Sequence, residues 1–275
     1  ITAGIGLFIA IIALLNANVV IASESTTVAL GELSSPTVVL SLVGLLIIGA
    51  LQHYKVPGGI LLGILITWVL GIIAQLVGWY VPNPEAGVYS VIPQFSLSSF
   101  EAPKMFQFDF GFIAKNVPAF ILIVFTFLYT DIFDTVGTLI GVAEKGKLLD
   151  QDGSLPNATG ALMADAVGTV VGACLGTSTV TSYVESSAGV AAGGRTGITA
   201  VTTAVLFFIS LIFAPIFTSI PSFATTPAML YVGLLMLSSI RQVKFDGDIA
   251  DAIGAFLAII MMPLTYSIAN GIMFG

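Results

Sequence analysis

Residues 120–141 read FILIVFTFLYTDIFDTVGTLIG, and this stretch decides the fold. It is long and apolar enough to cross a bilayer as one helix, which takes about 20 residues. Yet it carries two acids, Asp131 and Asp134, in its second half. A carboxylate at the centre of a membrane helix costs roughly 2.5–3.5 kcal/mol on insertion scales, so such groups face a protein-lined cavity and mark a path for a substrate or ion. Two more acids stand in similar surroundings. Asp165 interrupts 158–174, and Glu185 lies in 177–189 straight after a run of hydroxyl residues. The pattern points to a transporter with its site inside the membrane.

Composition agrees. The chain is 57% hydrophobic and 8% charged, with a mean hydropathy of +1.06. Soluble domains carry about 25% charged residues. The net charge of −7 and the lack of a basic patch argue against nucleic acid as a partner. One cysteine, Cys174, excludes an internal disulfide and a cysteine-based zinc cluster. No Walker-type Gly-Lys-Ser/Thr sequence is present, and no hydrolase or redox motif, so the chain does not read as an enzyme and no metal or cofactor is expected. The chain starts inside an apolar run without Met and stops in one, so further protein is expected on both sides.

Spanning segments are expected at 1–21, 36–53, 58–80, 114–142, 158–174, 197–217, 227–240 and 249–264, with another from 265. Pro36, Pro57, Pro82, Pro84, Pro156, Pro221 and Pro227 punctuate the junctions. The basic residues Lys55, Lys145, Lys147, Arg195, Arg241 and Lys244 fall on one side if 177–194 counts as a single crossing. The positive-inside rule makes that side cytoplasmic. Glu24, Glu32 and Glu85 fall on the other, with Lys104 and Lys115 the exceptions to the charge bias.

Asp131 and Asp134 are three apart and share a helix face, which Thr135 and Thr138 extend by a turn. Two carboxylates this close and out of water resist ionising together, so the pair can hold and release a proton. Next comes 176–189, GTSTVTSYVESSAG. Hydroxyl and β-branched residues alternate from Thr177 to Thr181, as in a short extended strand. Gly172 and Gly176 permit a break before it. Ser182-x-x-Glu185 has the form of a capping box that opens a half-helix, and Glu185 can serve the cap, a ligand or both. Half-helices that start inside the bilayer build the midplane sites of many secondary transporters. Asp165 is read first as a hold on this broken segment, and so as site support.

Two segments together resemble a known family. FTFLYTDIFDTVGTLIGVAEKGKLLD (125–150) and ADAVGTVVGACLGTSTVTSYVESSAGVAAGGRTG (164–197) look like the AzgA-like purine permeases. These are a branch of the nucleobase–cation symporter-2, or nucleobase–ascorbate transporter, group of xanthine/uracil permeases. IIMMPLTYSIANGIMFG (259–275) resembles the same family's late helices. The resemblance implies an all-α polytopic membrane protein, an inverted-repeat transporter of fourteen spans with a core and a gate domain. It implies a strand-plus-half-helix broken segment near 177–194. Residues 1–80 would be gate helices (spans 5–7) and 81–112 an extracytoplasmic or interfacial loop. Residues 113–217 would be core helices (spans 8–11) and 226–275 gate helices again (spans 12–14, incomplete). The other broken segment would lie in the first four spans, before residue 1.

The resemblance also implies proton-coupled uptake of adenine, guanine or hypoxanthine across the plasma membrane, with the proton as coupling ion. Asp131 and Glu185 would contact the purine, and Asp134 would match a second acid that affects transport. Ionised carboxylates only accept hydrogen bonds, which suits the N–H groups of a purine. Backbone N–H groups from Ser182 to Val184 would meet the purine's acceptors. Thr135 would support the site. An anion carrier, or a uracil or xanthine transporter of the same architecture, is the alternative. A homodimer is one assembly open to it; the sequence does not fix the oligomeric state.

Overall fold

A computed structural model describes residues 1–275 except 24, 84–87, 94–103 and 244. Glu24, Glu85, Glu101 and Lys244 therefore lie outside the described residues. The described chain is mostly helical. In order run α1 (Thr2–Asn16), β1 (Val20–Ser23), β2 (Thr27–Leu30), α2 (Pro36–His53), α3 (Gly59–Leu76), α4 (Gly111–Lys115), α5 (Val117–Gly146), α6 (Ala158–Leu175), α7 (Ser186–Ala191), α8 (Gly197–Ile212), α9 (Ala214–Phe217), α10 (Ser222–Leu237), α11 (Ile249–Thr265) and α12 (Ile268–Phe274). A 3₁₀ turn, Ser238–Gln242, follows α10. Among the described residues five helices are long and apolar enough to cross a membrane: α2, α3, α5, α6 and Ser222–Arg241. Their flanks carry large exposed apolar side chains, among them Leu46, Leu61, Phe125, Phe127 and Val170. Contiguous apolar surface of that kind suits lipid rather than water. The chain is an integral membrane protein.

Two expectations change. The apolar run at 1–21 is not one helix. It ends at Asn16, and the β-branched residues Val19-Val20-Ile21 lead into an antiparallel hairpin that pairs Val20 with Leu30 and Ser23 with Thr27. The described chain is thus not purely α. Likewise α3 stops at Leu76 rather than near 80.

The chain divides into two compact units. One comprises Ile9–Ser99 and Gly194–Leu234. Here α2 opens on a cap sequence cue: Ser35 accepts from the Val38 N–H and Pro36 sits in the first turn, where its missing N–H is no loss. Helices α2 and α3 pack as a hairpin, and Gly63 lets Ile48 lie against the α3 backbone. The core gathers Leu40, Trp68, Ala74, Tyr80, Val91, Phe223 and Ala224. Gly71 faces Phe223 so closely that a Cβ there would sit 2.5 Å from the ring. Pro227 inside α10 has no N–H for the Phe223 carbonyl. The buried Ser41 hydroxyl donates to that carbonyl instead, at 3.3 Å.

The other unit comprises Ile1–Phe8, Phe100–Gly193 and Leu235–Gly275, and it holds Asp131, Asp134, Asp165 and Glu185. Its spine is α5, at 30 residues about 45 Å long. Gly137 and Gly141 admit Ile1, Ile5 and Thr2 against it. Helices α4, α6, α7 and α12 also pack on α5.

Candidate functional site

The site grows from how α6 ends. Gly176 takes φ +79°, a left-handed conformation that glycine adopts without strain, and closes the helix. The chain then runs through 177–183 with neither helix nor strand ladder, turns at 184–185, and enters the six-residue α7. The expected short strand is thus absent among the described residues. A strand needs a neighbour to pair with, and here side chains take that part. Gly172 turns out not to be a break. It lies buried under the returning segment, where a Cβ would come within 2.7 Å of Val180 and 3.1 Å of Thr177.

Hydroxyl groups fasten this segment to the acids. Thr179 donates to Asp131 Oδ1 at 3.1 Å. Thr169, on α6, donates to the Val180 carbonyl at 2.8 Å and lies 3.0 Å from the Thr179 hydroxyl. A second set forms around Asp165. Thr135 donates to its Oδ2 at 3.0 Å and Ser182 to its Oδ1 at 3.2 Å. The Thr181 hydroxyl is 2.9 Å from that of Thr135. Thr135 is only 1% exposed, so this bond is made away from solvent. Asp165 accordingly holds the broken segment through its side chains, and joins it to α5 as well. Asp134 is half-buried and within electrostatic reach of both Asp131 and Asp165.

Three predicted residues sit differently. Ser182 does not form a capping box, because α7 opens only at Ser186 with Glu185 at its N-cap; the Ser182 hydroxyl donates to Asp165. Glu185 occupies the N-cap position of α7 with no side-chain capping bond, and it is exposed. It stands apart from both hydroxyl sets, which leaves its carboxylate uncommitted by any cap. The Val184 carbonyl accepts the Ser187 N–H at 2.9 Å. Among the described residues the N–H groups of 182–185 meet no protein acceptor, and they lie one turn ahead of α7. The Thr138 and Ser187 hydroxyls are buried without a described partner.

Sequence reasoning missed Thr169, Thr179 and Thr181. The signal for two of them was present: odd-numbered hydroxyls from 177 to 181 lie on one side of an extended chain. Thr169 gave none, being one threonine in an apolar helix. What emerges is a set of accepting carboxylates on α5 and α6 and, among the described residues, unpaired backbone N–H groups ahead of α7.

A permease family model matches residues 1–274. The chain belongs to this Permease family, of the xanthine/uracil type. It is therefore grouped with transporters and not with enzymes. It is 44% identical over 272 residues to the putative permease MJ0326 of Methanocaldococcus jannaschii, covering 99% of this chain and 59% of that protein. It is 40% identical over 275 residues to the adenine permease AdeQ of Escherichia coli, covering 100% of this chain and 59% of AdeQ. It is 40% identical over 274 residues to the guanine/hypoxanthine permease PbuG of Bacillus subtilis, with 99% and 59% covered. The chain thus spans 59% of the length of these relatives.

Proposed function

We propose that the full protein takes up purine nucleobases (adenine, guanine or hypoxanthine) across the plasma membrane together with protons. In this reading residues 113–217 belong to a moving core and residues 1–80 and 226–275 to a gate. Lys55, Lys145, Lys147, Arg195, Arg241 and Lys244 face the cytoplasm. The observation that carries the proposal is Asp131, a carboxylate in a spanning helix held in place by Thr179 of the broken segment. Relatives named as adenine and as guanine/hypoxanthine permeases match the chain along its whole length, which supports the substrate class.

Asp131 and Glu185 would accept hydrogen bonds from purine N–H groups, and backbone N–H groups near Ser182 and Val184 would donate to ring nitrogens or O6. Asp134, Thr135 and Asp165 would support the site and its proton. A base lacking one donor or acceptor would leave a site group unpaired, and is rejected far more strongly than one lacking only a methyl contact. The test is competition among labelled adenine, guanine and hypoxanthine for uptake by the full-length protein, with and without a protonophore. Saturable purine uptake that collapses with the protonophore supports the proposal. Uptake of uracil or of sulfate in preference to purines refutes it.

A further inference from the structure

The two hydroxyl sets differ in their count of hydrogens. Around Asp165 there are three contacts: Thr181 to Thr135, Thr135 to Oδ2, and Ser182 to Oδ1. Three hydroxyl hydrogens fill them when Asp165 is ionised, and a proton on Asp165 would be surplus. Around Asp131 there are also three contacts, in a row: Asp131 to Thr179 at 3.1 Å, Thr179 to Thr169 at 3.0 Å, and Thr169 to the Val180 carbonyl at 2.8 Å. The carbonyl supplies no hydrogen, and neither does an ionised carboxylate. Two hydroxyl hydrogens then serve three contacts, and one contact is always unfilled. A proton on Asp131 completes the row: Asp131 donates to Thr179, Thr179 to Thr169, and Thr169 to Val180.

We infer that Thr169 and Thr179 are positioning residues that couple proton occupancy of Asp131 to the broken segment, while Asp165 stays ionised as a fixed clamp. The inference rests on the proton-coupled reading above and names the acid that takes the proton and the residues that sense it. Loading the proton reverses the Thr179 hydroxyl, which then donates to Thr169 and ties the broken segment to α6 through a second bond beside the Thr169–Val180 one. Losing it returns Thr179 to Asp131 and leaves the Thr179–Thr169 contact empty. Other charges do not supply the missing hydrogen. The titratable groups on the elements packed against α5 are Lys115 on α4, Asp165 and Cys174 on α6, and Tyr183 and Glu185 ahead of α7; α12 has none, and α5 itself adds Asp134 nearby.

The test uses the full-length protein in proteoliposomes and the initial rate of adenine uptake as a function of external pH. Thr169→Val removes the acceptor that Thr179 needs only when Asp131 is protonated. The alkaline limb of the profile should move down by about 0.7 pH unit, a roughly fivefold loss of proton affinity from one hydrogen bond. Thr169→Ser should restore the wild-type limb, and Thr169→Ala, which removes the γ-methyl as well as the hydroxyl, should repeat the Val shift. A Val or Ala profile that overlays wild type with only a lower maximum overturns the relay. Wild-type uptake with no pH dependence at all overturns the proton-coupled reading instead.

Discussion

Replacing Asp165 by Ala is the sharpest test of how the site is held. The carboxylate accepts from Thr135 at 3.0 Å and from Ser182 at 3.2 Å, and so ties α5 and the broken segment to α6. Hydrogen bonds between membrane helices average about 0.6 kcal/mol and reach about 1.7. An ionised partner roughly doubles a bond's strength. At the average value the two bonds are then worth about 2.4 kcal/mol together. Thr135 is buried, so its hydroxyl would turn to Thr181 rather than to water, recovering part of one bond. With that recovery about 2 kcal/mol is lost, and at about 2–4 °C per kcal/mol the melting temperature should fall by about 4–8 °C. The assay is intrinsic fluorescence of the purified full-length protein in detergent, run beside Thr135→Val and the double variant. Because the two residues share a bond, the double variant should lose less than the sum of the singles. A shift under about 2 °C for Asp165→Ala, or strict additivity in the cycle, would refute the clamp.

Four further outcomes are expected. Asp131→Asn should abolish purine uptake while surface expression stays near wild type; normal proton-dependent uptake would remove Asp131 from the site. Glu185→Gln should raise KM most for bases presenting two adjacent N–H donors, with fold and expression unchanged because the side chain makes no capping bond; equal affinity across substrates would count against ligand contact. Gly176→Ala should cost about 1–2 kcal/mol for left-handed backbone alone, and more because its Cβ would meet the Lys104 carbonyl at 2.5 Å; a melting curve that matches wild type would contradict this. In the loop after α5, the Ser154 hydroxyl, and then its N–H, hold the Asp152 carboxyl below its ordinary value of 3.8. A depressed value means the turn is favoured above the ordinary value and loosens only as pH falls through the lower one. The protection factor of the Ser154 amide, taken against the intrinsic exchange rate at each pH, should therefore hold at neutral pH and fall in acid, and Ser154→Ala should move that onset to higher pH.

The spanning helices were legible because length and apolarity alone decide them: 36–53 and 158–174 fall within a residue of α2 and α6. The run at 1–21 misled because hydropathy does not distinguish a β-branched strand from a helix end, and the hairpin at Val20–Leu30 forms through pairing that no local pattern announces. At the site, residue types pointed to the acids but not to their partners. An acid in an apolar helix is conspicuous, whereas a threonine there is ordinary, so Asp131 and Asp165 stood out and Thr169 did not. Ser182-x-x-Glu185 matched a cap by spacing, yet the helix opens three residues later than the spacing predicts, with Glu185 itself at the N-cap. The spacing rule sees the residue types but not the turn at 184–185 that delays the helix. The later start separates two positions along one short segment: Ser182 donates to Asp165 and holds the frame, and Glu185, three residues on, makes no capping bond.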